Sequence, residues 1–365
     1  MTAAASMMPD WFSAESTPFS LRDLPARAKE MAYVAQQLSI FVPAGIAQRA
    51  MRMVTGGAAI EPSPAQLEIL MSRYRALLKR DVENVREGLY PESLLFQIPA
   101  FEYAKRLPWM VRDLPGVVRR RARANYRDLD AREAKRYPAY FRRTFHWQTD
   151  GYLSKRSAQL YDAGVELLFG GTADVMRRQV IPPISRWLKT HPGTESEPRR
   201  LLDLACGTGR TLSQVHTAHP SLKLYGLDLS PYYVQEARSL LRHVPDASFL
   251  AENAESTPFA DGRFDIVTCV YLFHELPRNA RRNVLREAFR VLSPGGLVVL
   301  EDSAQRVDSK EVAFFLERFP EDFHEPFYRD YLDDSMEAAL EEAGFVVRSS
   351  EPHFVAKVVV ATKPG

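Results

Sequence analysis

A short glycine-containing motif near the middle of the chain most constrains the fold. The apolar run Arg200–Leu204 leads directly into Ala205-Cys-Gly-Thr-Gly209, and the next apolar run ends in the acid Asp228. Glycines let a backbone turn tightly beside a ligand, and an acid after the second strand of a βαβ unit accepts hydrogen bonds from ribose hydroxyls. This order predicts a doubly wound α/β domain that binds a nucleoside cofactor.

The residue three positions after Gly209 indicates which cofactor is bound. A dinucleotide fingerprint has a third glycine three residues after the second, where the helix approaches a pyrophosphate, and this chain has Leu212 there. A cofactor without a pyrophosphate is therefore favoured, and S-adenosylmethionine is the prediction. An NAD(P)-dependent oxidoreductase is the leading alternative enzyme, and a non-catalytic cofactor-binding scaffold at a membrane surface is the alternative outside enzymes.

Strand-like and helix-like runs alternate beyond residue 195. The predicted strands are Arg200 to Leu204, Lys223 to Leu227, Ala247 to Ala251, Phe264 to Val270, Gly296 to Glu301, Val346 to Ser350 and Phe354 to Ala361. The alternation predicts a parallel sheet with helices on both faces, and helices should begin near Thr208, Pro231, Arg278 and Asp333. Too few residues separate the last two strands for a parallel crossover, so an antiparallel hairpin is expected there. The fold class is thus a seven-stranded, mostly parallel, Rossmann-like sheet.

The preceding part of the chain reads as helical. Residues 1–145 contain helix-like runs such as Pro64 to Asn84, with prolines between them at Pro43, Pro62, Pro91, Pro99, Pro108, Pro115 and Pro138. A further helical stretch spans about Ser157 to Leu188, and the linker His191 to Pro198 follows it. We expect a helical accessory region over 1–145, a lid or linker segment over 146–195, and the cofactor domain over 196–365.

Composition and charge narrow the class of protein. With 45% hydrophobic and 26% charged residues and no apolar run near eighteen residues, the chain should be globular and cytoplasmic. Cys206 and Cys269 both fall in the predicted core, so no disulfide is expected. Residues 105–143 hold thirteen Lys or Arg against four Asp or Glu. A solvated helix face is the simplest interpretation; contact with an anionic membrane is the main alternative, and nucleic-acid binding is disfavoured.

Five segments of the cofactor domain carry a family resemblance. In order they are Asp203-Leu-Ala-Cys-Gly-Thr-Gly209, Asp228, Glu252-Asn-Ala-Glu-Ser-Thr-Pro-Phe259, Phe264-Asp-Ile-Val-Thr268 and Leu292-Ser-Pro-Gly-Gly296. Over residues 196–365 the chain resembles the class I S-adenosylmethionine-dependent methyltransferases of the ubiquinone/menaquinone type, with a helical N-terminal extension. The resemblance implies methyl transfer to carbon or oxygen of a small, fairly apolar acceptor that is aromatic, quinol-like or lipid-like.

The resemblance and the strand ends together assign the cofactor residues. They are Asp203, Ala205, Gly207, Gly209, Asp228, Leu229, Asn253, Ala254 and Val270. Two of these depart from the family pattern. Ala205 stands where many members have a glycine, and Asn253 stands where many have an acid that meets the adenine amino group; an amide oxygen can accept the same hydrogen bond.

The acceptor residues are less constrained. Tyr271, His274 and Glu275 follow the fourth strand at the edge where such sheets bind ligands, and His324 with Glu325 lies in the aromatic segment Phe319 to Tyr331 that can cover the cavity. We predict Tyr271, His274, Glu275 and His324 as catalytic candidates, with helix capping and loop packing as the alternatives. His146, Trp147, Gln148 and Asp150 form another candidate wall, and Asp302 can polarise a hydroxyl. No His or Cys pair shows metal-ligand spacing, so no metal is expected.

Overall fold

A seven-stranded sheet dominates the computed structural model, which describes residues 24–55, 62–122, 136–147, 150–308 and 310–365. The strands are β1 (Arg200–Leu204), β2 (Lys223–Asp228), β3 (Ser248–Ala251), β4 (Phe264–Val270), β5 (Leu292–Ser303), β6 (Val346–His353) and β7 (Ala356–Thr362). Their order across the sheet is β3-β2-β1-β4-β5-β7-β6. The first five pair in parallel, and β7 is antiparallel to both of its neighbours. The predicted fold class and the final hairpin are therefore confirmed.

Helices precede the sheet and cover both of its faces. Those before the sheet are α1 (Leu24–Thr55), α2 (Pro64–Arg86), α3 (Ala100–Ala122), α4 (Lys155–Leu168), α5 (Ala173–Arg177) and α6 (Ile181–Thr190). Those within it are α7 (Arg210–Ala218), α8 (Pro231–Leu240), α9 (Arg278–Val291), α10 (Ala313–Phe323), α11 (Tyr328–Leu332) and α12 (Met336–Glu342). Short 3₁₀ turns are Glu92–Phe96, Ala139–Arg142, Phe145–Trp147, Arg178–Val180, Phe273–Glu275 and Lys310–Val312.

Alternation along the strands creates two cores. In β1, Leu202 and Leu204 pack with the core that α9 and α12 cover, whereas Leu201 packs with the core of α6, α7 and α8. Successive strand residues point to opposite faces, so an apolar run buried on both faces is the expected sequence of a covered parallel strand. The sheet is thereby held rigid, and its carboxyl edge provides a fixed platform for the loops that follow β1, β2 and β4.

Three sequence-based expectations are wrong in detail. The stretch from Ser157 to Leu188 is divided, because Gly170 and Gly171 adopt positive φ of 59° and 84° and end α4. Pro43 lies inside α1, and Pro108 and Pro115 lie inside α3, so these prolines do not separate helices. The other differences are shifted boundaries: β5 begins at Leu292, and helices expected near Thr208 and Asp333 begin at Arg210 and Met336.

The N-terminal helices are attached to the sheet by buried polar contacts. Arg178 Nε donates to Asp81 Oδ1 over 2.7 Å, and the hydroxyls of Tyr33 and Tyr90 donate to the same buried carboxylate at 2.5 Å. Near the middle of α2, Arg73 Nε donates to the carbonyl of Phe354 over 2.6 Å. We call α4, α5 and α6, which directly precede β1, the lead-in helices. These contacts fix α1 and α2 against the lead-in helices and the β6–β7 hairpin. Among the helices in the described ranges, none combines the length and apolar content that a bilayer crossing requires.

Candidate active site

A cavity opens at the carboxyl ends of β1, β2 and β4, where the strand order reverses. It encloses about 1020 Å³, including the part that is open to solvent. Doubly wound sheets bind ligands at this position, because the connections on either side of the reversal run to opposite faces and leave a crevice. Of the predicted cofactor residues, Asp203, Ala205, Gly207, Asp228, Leu229, Asn253, Ala254 and Val270 line the cavity.

The glycine loop uses its two glycines differently. Gly207 has φ +54°, and a side chain added there would meet no atom within 4 Å, because the position faces the cavity. Gly209 has φ +82°, and an added Cβ would lie 2.8 Å from Leu241 Cδ1 and 3.1 Å from Ala237 Cβ. Gly207 therefore keeps space open for a ligand, whereas Gly209 lets the start of α7 pack against α8. Gly209 is absent from the cavity lining.

Asp228 is held by the loop that it faces. Its carboxylate accepts the backbone N–H of Gly207 over 3.0 Å and that of Ser230 over 2.8 Å. Burial raises the pKa of Asp228 to about 6, although the two hydrogen bonds oppose this shift. The side chain stays ionised at neutral pH, and a carboxylate has lone pairs left to accept ribose hydroxyls.

Two further predicted cofactor residues, Asp203 and Asn253, accept hydrogen bonds from other groups of the protein. Asp203 Oδ1 accepts the hydroxyl of Thr268 over 2.7 Å, and burial raises the pKa of Asp203 to about 7. Asn253 Oδ1 accepts the backbone N–H of Glu255 over 2.9 Å. Because a carbonyl oxygen has two lone pairs, Asn253 can still accept a second hydrogen bond from a ligand.

Two charged residues of the lead-in helices also line the cavity, and sequence reasoning missed both. The Asp162 carboxylate accepts the hydroxyl of Thr208 over 2.8 Å, and Arg177 Nη1 donates to Asp174 Oδ1 over 2.9 Å. The cavity lining thus includes an acidic side chain bonded to the glycine loop and a basic side chain. That combination suits a zwitterionic amino-acid group. The one sequence signal for these two residues was the presence of charged side chains, Asp162, Asp174 and Arg177, in a helical segment predicted as a lid.

An aromatic wall forms part of the cavity lining. We use this name for six cavity-lining residues: Tyr140, Phe141, Phe145, Tyr152, Tyr161 and Tyr233. Tyr152 is central, since its ring centroid lies 5.4 Å from those of Phe145 and Tyr233 and 6.1 Å from that of Tyr161. Such edge-to-face and stacked contacts fix the rings relative to one another. The wall is therefore an aromatic surface whose rings fix one another, and the hydroxyls of its four tyrosines are its polar groups.

Glu275 and Tyr271 line this cavity as well. The hydroxyl of Tyr152 donates to Glu275 Oε1 over 2.5 Å, which orients a carboxylate within the aromatic wall. Tyr271 turns its hydroxyl toward Glu301 Oε1, at 3.3 Å, behind the cavity. Glu275 is therefore better placed than Tyr271 to meet a bound acceptor.

The two predicted histidines lie outside the cavity lining. His274 sits in the turn Phe273–Glu275, and its Nδ1 bonds to Asp302 Oδ1 at 2.5 Å. Burial lowers the pKa of His274, but the Asp302 carboxylate outweighs it and raises the pKa to about 9. His324 is buried after α10, where burial and the charge of Arg143 lower its pKa to about 4. Direct action of either on the acceptor stays a prediction.

His146 and Glu325 reach the site from opposite directions. His146 Nε2 lies 3.5 Å from Glu275 Oε1, and its Nδ1 lies 3.3 Å from Glu325 Oε1. Burial raises the pKa of Glu325 to about 8, and these carboxylates raise the pKa of His146. Of the other candidates around His146, Asp150 is exposed, the main chain of Trp147 ends a 3₁₀ turn, and Gln148 lies outside the described residues.

Unusual backbone conformations concentrate here. Ala205, Tyr271, His146 and His324 all have φ between 51° and 59°, a region that non-glycine residues rarely adopt. Such conformations persist where the surrounding structure fixes them, and they accumulate at functional sites. At Ala205 the backbone has the left-handed shape that favours glycine, which accounts for the glycine that many family members have at this position.

The cavity meets the requirements of S-adenosylmethionine. Asp228 would accept the ribose hydroxyls, Gly207 leaves space for a ligand, and Asp162 with Arg177 would offer opposite charges to the amino-acid end. Leu229, Ala254 and Leu276 line the cavity and would supply apolar contacts to the adenine.

Comparisons with known proteins agree with this geometry. A profile described as "Methyltransferase domain" matches residues 201–296. A demethylmenaquinone methyltransferase from Thermotoga maritima is 31% identical over 223 residues, which cover 55% of this chain and 90% of the relative. A ubiquinone/menaquinone biosynthesis C-methyltransferase from Desulfotalea psychrophila is 31% identical over 38% of this chain and 58% of the relative.

Solved structures are similar too. A putative methyltransferase from Bacillus halodurans is 20% identical, with a TM-score of 0.39, over 50% of this chain and 99% of that one. The Thermotoga relative shows the family, because this chain spans 90% of it at 31% identity. The chain belongs to the class I S-adenosylmethionine-dependent methyltransferases of the ubiquinone/menaquinone type.

Proposed function

We propose that this enzyme methylates a ring carbon of a small aromatic, quinol-like acceptor. The observation that carries the proposal is the aromatic wall, which lines the same cavity as the glycine loop and contacts the carboxylate of Glu275 through Tyr152. The relatives support carbon as the methylated atom, since their names are demethylmenaquinone methyltransferase and ubiquinone/menaquinone biosynthesis C-methyltransferase. O-methylation of the same class of acceptor is the second candidate.

The residues of the chain have defined tasks in this reaction. Bound S-adenosylmethionine supplies an electrophilic methyl group on a sulfonium. The aromatic wall stacks against a flat acceptor and excludes water, which aligns the acceptor for in-line attack. Glu275 accepts the proton of an acceptor hydroxyl, and the resulting phenolate is electron-rich at its ring carbons. Once a ring carbon carries the methyl group, that carbon loses its own proton to the ring oxygen, which restores the aromatic hydroxyl, and Glu275 releases its proton to solvent. Tyr152 keeps the Glu275 carboxylate turned toward the cavity.

A second cavity supports an acceptor with a hydrocarbon tail. It encloses about 940 Å³, including space open to solvent, and lies between α3 and α4. Met110, Val117, Leu160 and Leu168 give it an apolar lining, and it shares Tyr161 with the cofactor cavity. In this proposal the ring occupies the aromatic wall and the tail occupies the second cavity.

The surface of α3 suits contact with an anionic membrane, from which such an acceptor is taken. Trp109 and Val111 are 53% and 61% exposed, and Arg112 and Arg119 are exposed on the same helix. Exposed aromatic and aliphatic groups beside arginines are typical of peripheral membrane helices. The rest of the basic stretch, residues 123–135, lies outside the described residues. Sedimentation with phosphatidylserine vesicles tests this, and equal binding by Trp109→Ala would contradict it.

A labelled methyl donor tests the acceptor. The full chain is incubated with tailed and tail-less quinols, a catechol, a primary amine and a fatty acid, and the products are assigned by NMR. We expect a ring C-methyl product from the quinols only, with a higher kcat/KM for the tailed one. Tyr161→Ala should reduce that advantage. An O-methyl product would favour the second candidate, and methylation of the amine or fatty acid alone would overturn the proposal.

A further inference from the structure

Three potential metal ligands from separate parts of the chain meet beside the cofactor cavity, and one of them, Glu275, lines it. They are His146 in the turn Phe145–Trp147, Glu275 in the turn Phe273–Glu275, and Glu325 between α10 and α11. One ligand atom from each lies within 4.8 Å of the other two. Because each ligand comes from a different element, no local spacing in the sequence announces the cluster.

Glu325 is the informative member. Its side chain is 0% exposed, and among the described residues neither carboxylate oxygen receives a hydrogen bond. His146 Nε2 likewise has no hydrogen-bond partner within the described part of the chain. A buried carboxylate without hydrogen bonds is strongly unfavourable unless a cation or a proton compensates it. This arrangement therefore calls for a positive group.

The ionisable groups around the cluster can be balanced by a cation of charge +2. His274 bonds to Asp302, so these two groups balance each other. Among the described residues, Glu275 accepts a hydrogen bond from the neutral Tyr152 hydroxyl and lies 3.5 Å from His146 Nε2, and Glu325 faces His146 Nδ1. With a neutral imidazole and both carboxylates ionised, the cluster would carry two negative charges, which one divalent cation balances. We propose that His146, Glu275 and Glu325 bind a divalent transition-metal cation of the Mn²⁺, Fe²⁺ or Zn²⁺ class beside the cofactor cavity, which Glu275 lines.

The ligand set selects this class of ion. Imidazole nitrogen is a good ligand for first-row transition metals, whereas Ca²⁺ and Mg²⁺ prefer sites made only of oxygen. Glu275 belongs to the cluster and also lines the cofactor cavity. A hydroxyl that binds such a cation loses its proton more readily. The site does not depend on which acceptor is methylated.

Metal binding is measured on the full chain without donor or acceptor. After chelator treatment and dialysis, Mn²⁺ is titrated and followed by electron paramagnetic resonance and calorimetry, and Zn²⁺ is titrated in parallel. We expect one bound equivalent, and at least about tenfold weaker binding in Glu325→Gln and in His146→Gln. Nitrogen hyperfine coupling on bound Mn²⁺ should be present in the native chain and lost in His146→Gln.

Glu166→Gln is the matched control, because Glu166 is also a buried glutamate with a pKa raised to about 8 by burial and lies outside the cluster. It should bind Mn²⁺ like the native chain. If Glu325→Gln does not fold, a rise in the Tm of the native chain with Mn²⁺, together with the nitrogen coupling, still tests the site. No binding of either ion to the native chain, or unchanged binding in Glu325→Gln, would overturn the proposal and leave a protonated His146 between the two carboxylates.

Discussion

The two halves of the cavity are built by different means. The cofactor half comes from loops at adjacent strand ends, and backbone groups of Gly207 and Ser230 hold its key acid, Asp228. The acceptor half consists of side chains brought together from distant segments, such as Tyr152 and Glu275. Backbone geometry demands particular residues at fixed spacings, whereas a side-chain wall can change as long as it packs. One fold can therefore keep its cofactor while its acceptor changes.

The sharpest way to break this comparison is to remove Asp228. Asp228→Ala should weaken S-adenosylmethionine binding about 100-fold, since hydrogen bonds from ribose hydroxyls to a charged acceptor contribute about 1.5–3 kcal/mol each. Tyr152→Phe, in the acceptor half, should leave that affinity within about twofold, because it removes only a hydrogen bond to Glu275. Calorimetry with S-adenosylmethionine measures both.

Asp261→Ala provides the control for Asp228→Ala. The side chain of Asp261 is 81% exposed and pairs with Arg290, so its loss should not alter cofactor affinity. If Tyr152→Phe weakened cofactor binding as much as Asp228→Ala did, the division of the cavity into two halves would be wrong.

The same contrast explains what the sequence could predict. The strand ends near Asp203, Asp228 and Val270 were predictable, because apolar strands and the glycine loop have local signatures, and the structure brings these residues to one edge. Tyr152 and Glu325 had no such signature, since their positions depend on how the lead-in helices and the α10 segment pack. His274 was predicted from its place after β4, but the 3₁₀ turn directs its ring to Asp302.

The two glycines of the loop should separate folding from binding. Gly209→Ala should lower the free energy of unfolding by about 2 kcal/mol, because it adds a left-handed alanine and a contact at 2.8 Å with Leu241. Gly207→Ala should lower it less, by about 1 kcal/mol, because its surroundings are open, yet it should weaken cofactor binding more. Urea unfolding and calorimetry on both variants give the comparison. Equal effects of the two on cofactor affinity would contradict the assigned roles.

Cofactor affinity should depend on pH through Asp228. Burial raises the pKa of this carboxyl from 3.8 to about 6, so the ionised acceptor predominates above pH 6 and is lost below it. We expect S-adenosylmethionine affinity to fall about tenfold between pH 7 and pH 5, since each pH unit below the pKa reduces the ionised fraction about tenfold. Calorimetry across this range measures the effect, and a flat profile would show that Asp228 is not the titrating acceptor.

Stability without cofactor should show the opposite slope from this group. An acid with a raised pKa stabilises the folded state below its unfolded pKa, and that contribution is lost as the pH rises through about 6. Asp228→Asn should therefore flatten the change in unfolding free energy between pH 4 and pH 6. A native profile and an Asp228→Asn profile that coincide would contradict the shift.

The smallest expected effect concerns Ala205, whose φ of 56° belongs to the backbone-determined half. Ala205→Gly removes a left-handed strain of about 1–2 kcal/mol, while the greater freedom of glycine in the unfolded chain costs about 0.4–1 kcal/mol. The net result should be a stabilisation of about 0.5 kcal/mol, seen as a higher urea midpoint with an unchanged m value. Ala254→Gly, in the same cavity but without a positive φ, should instead destabilise by about 0.5–1 kcal/mol. If both variants changed the free energy of unfolding in the same direction, the backbone shape at Ala205 would not limit the stability of this loop. Changes in opposite directions would attribute the family's preference for glycine at this position to φ.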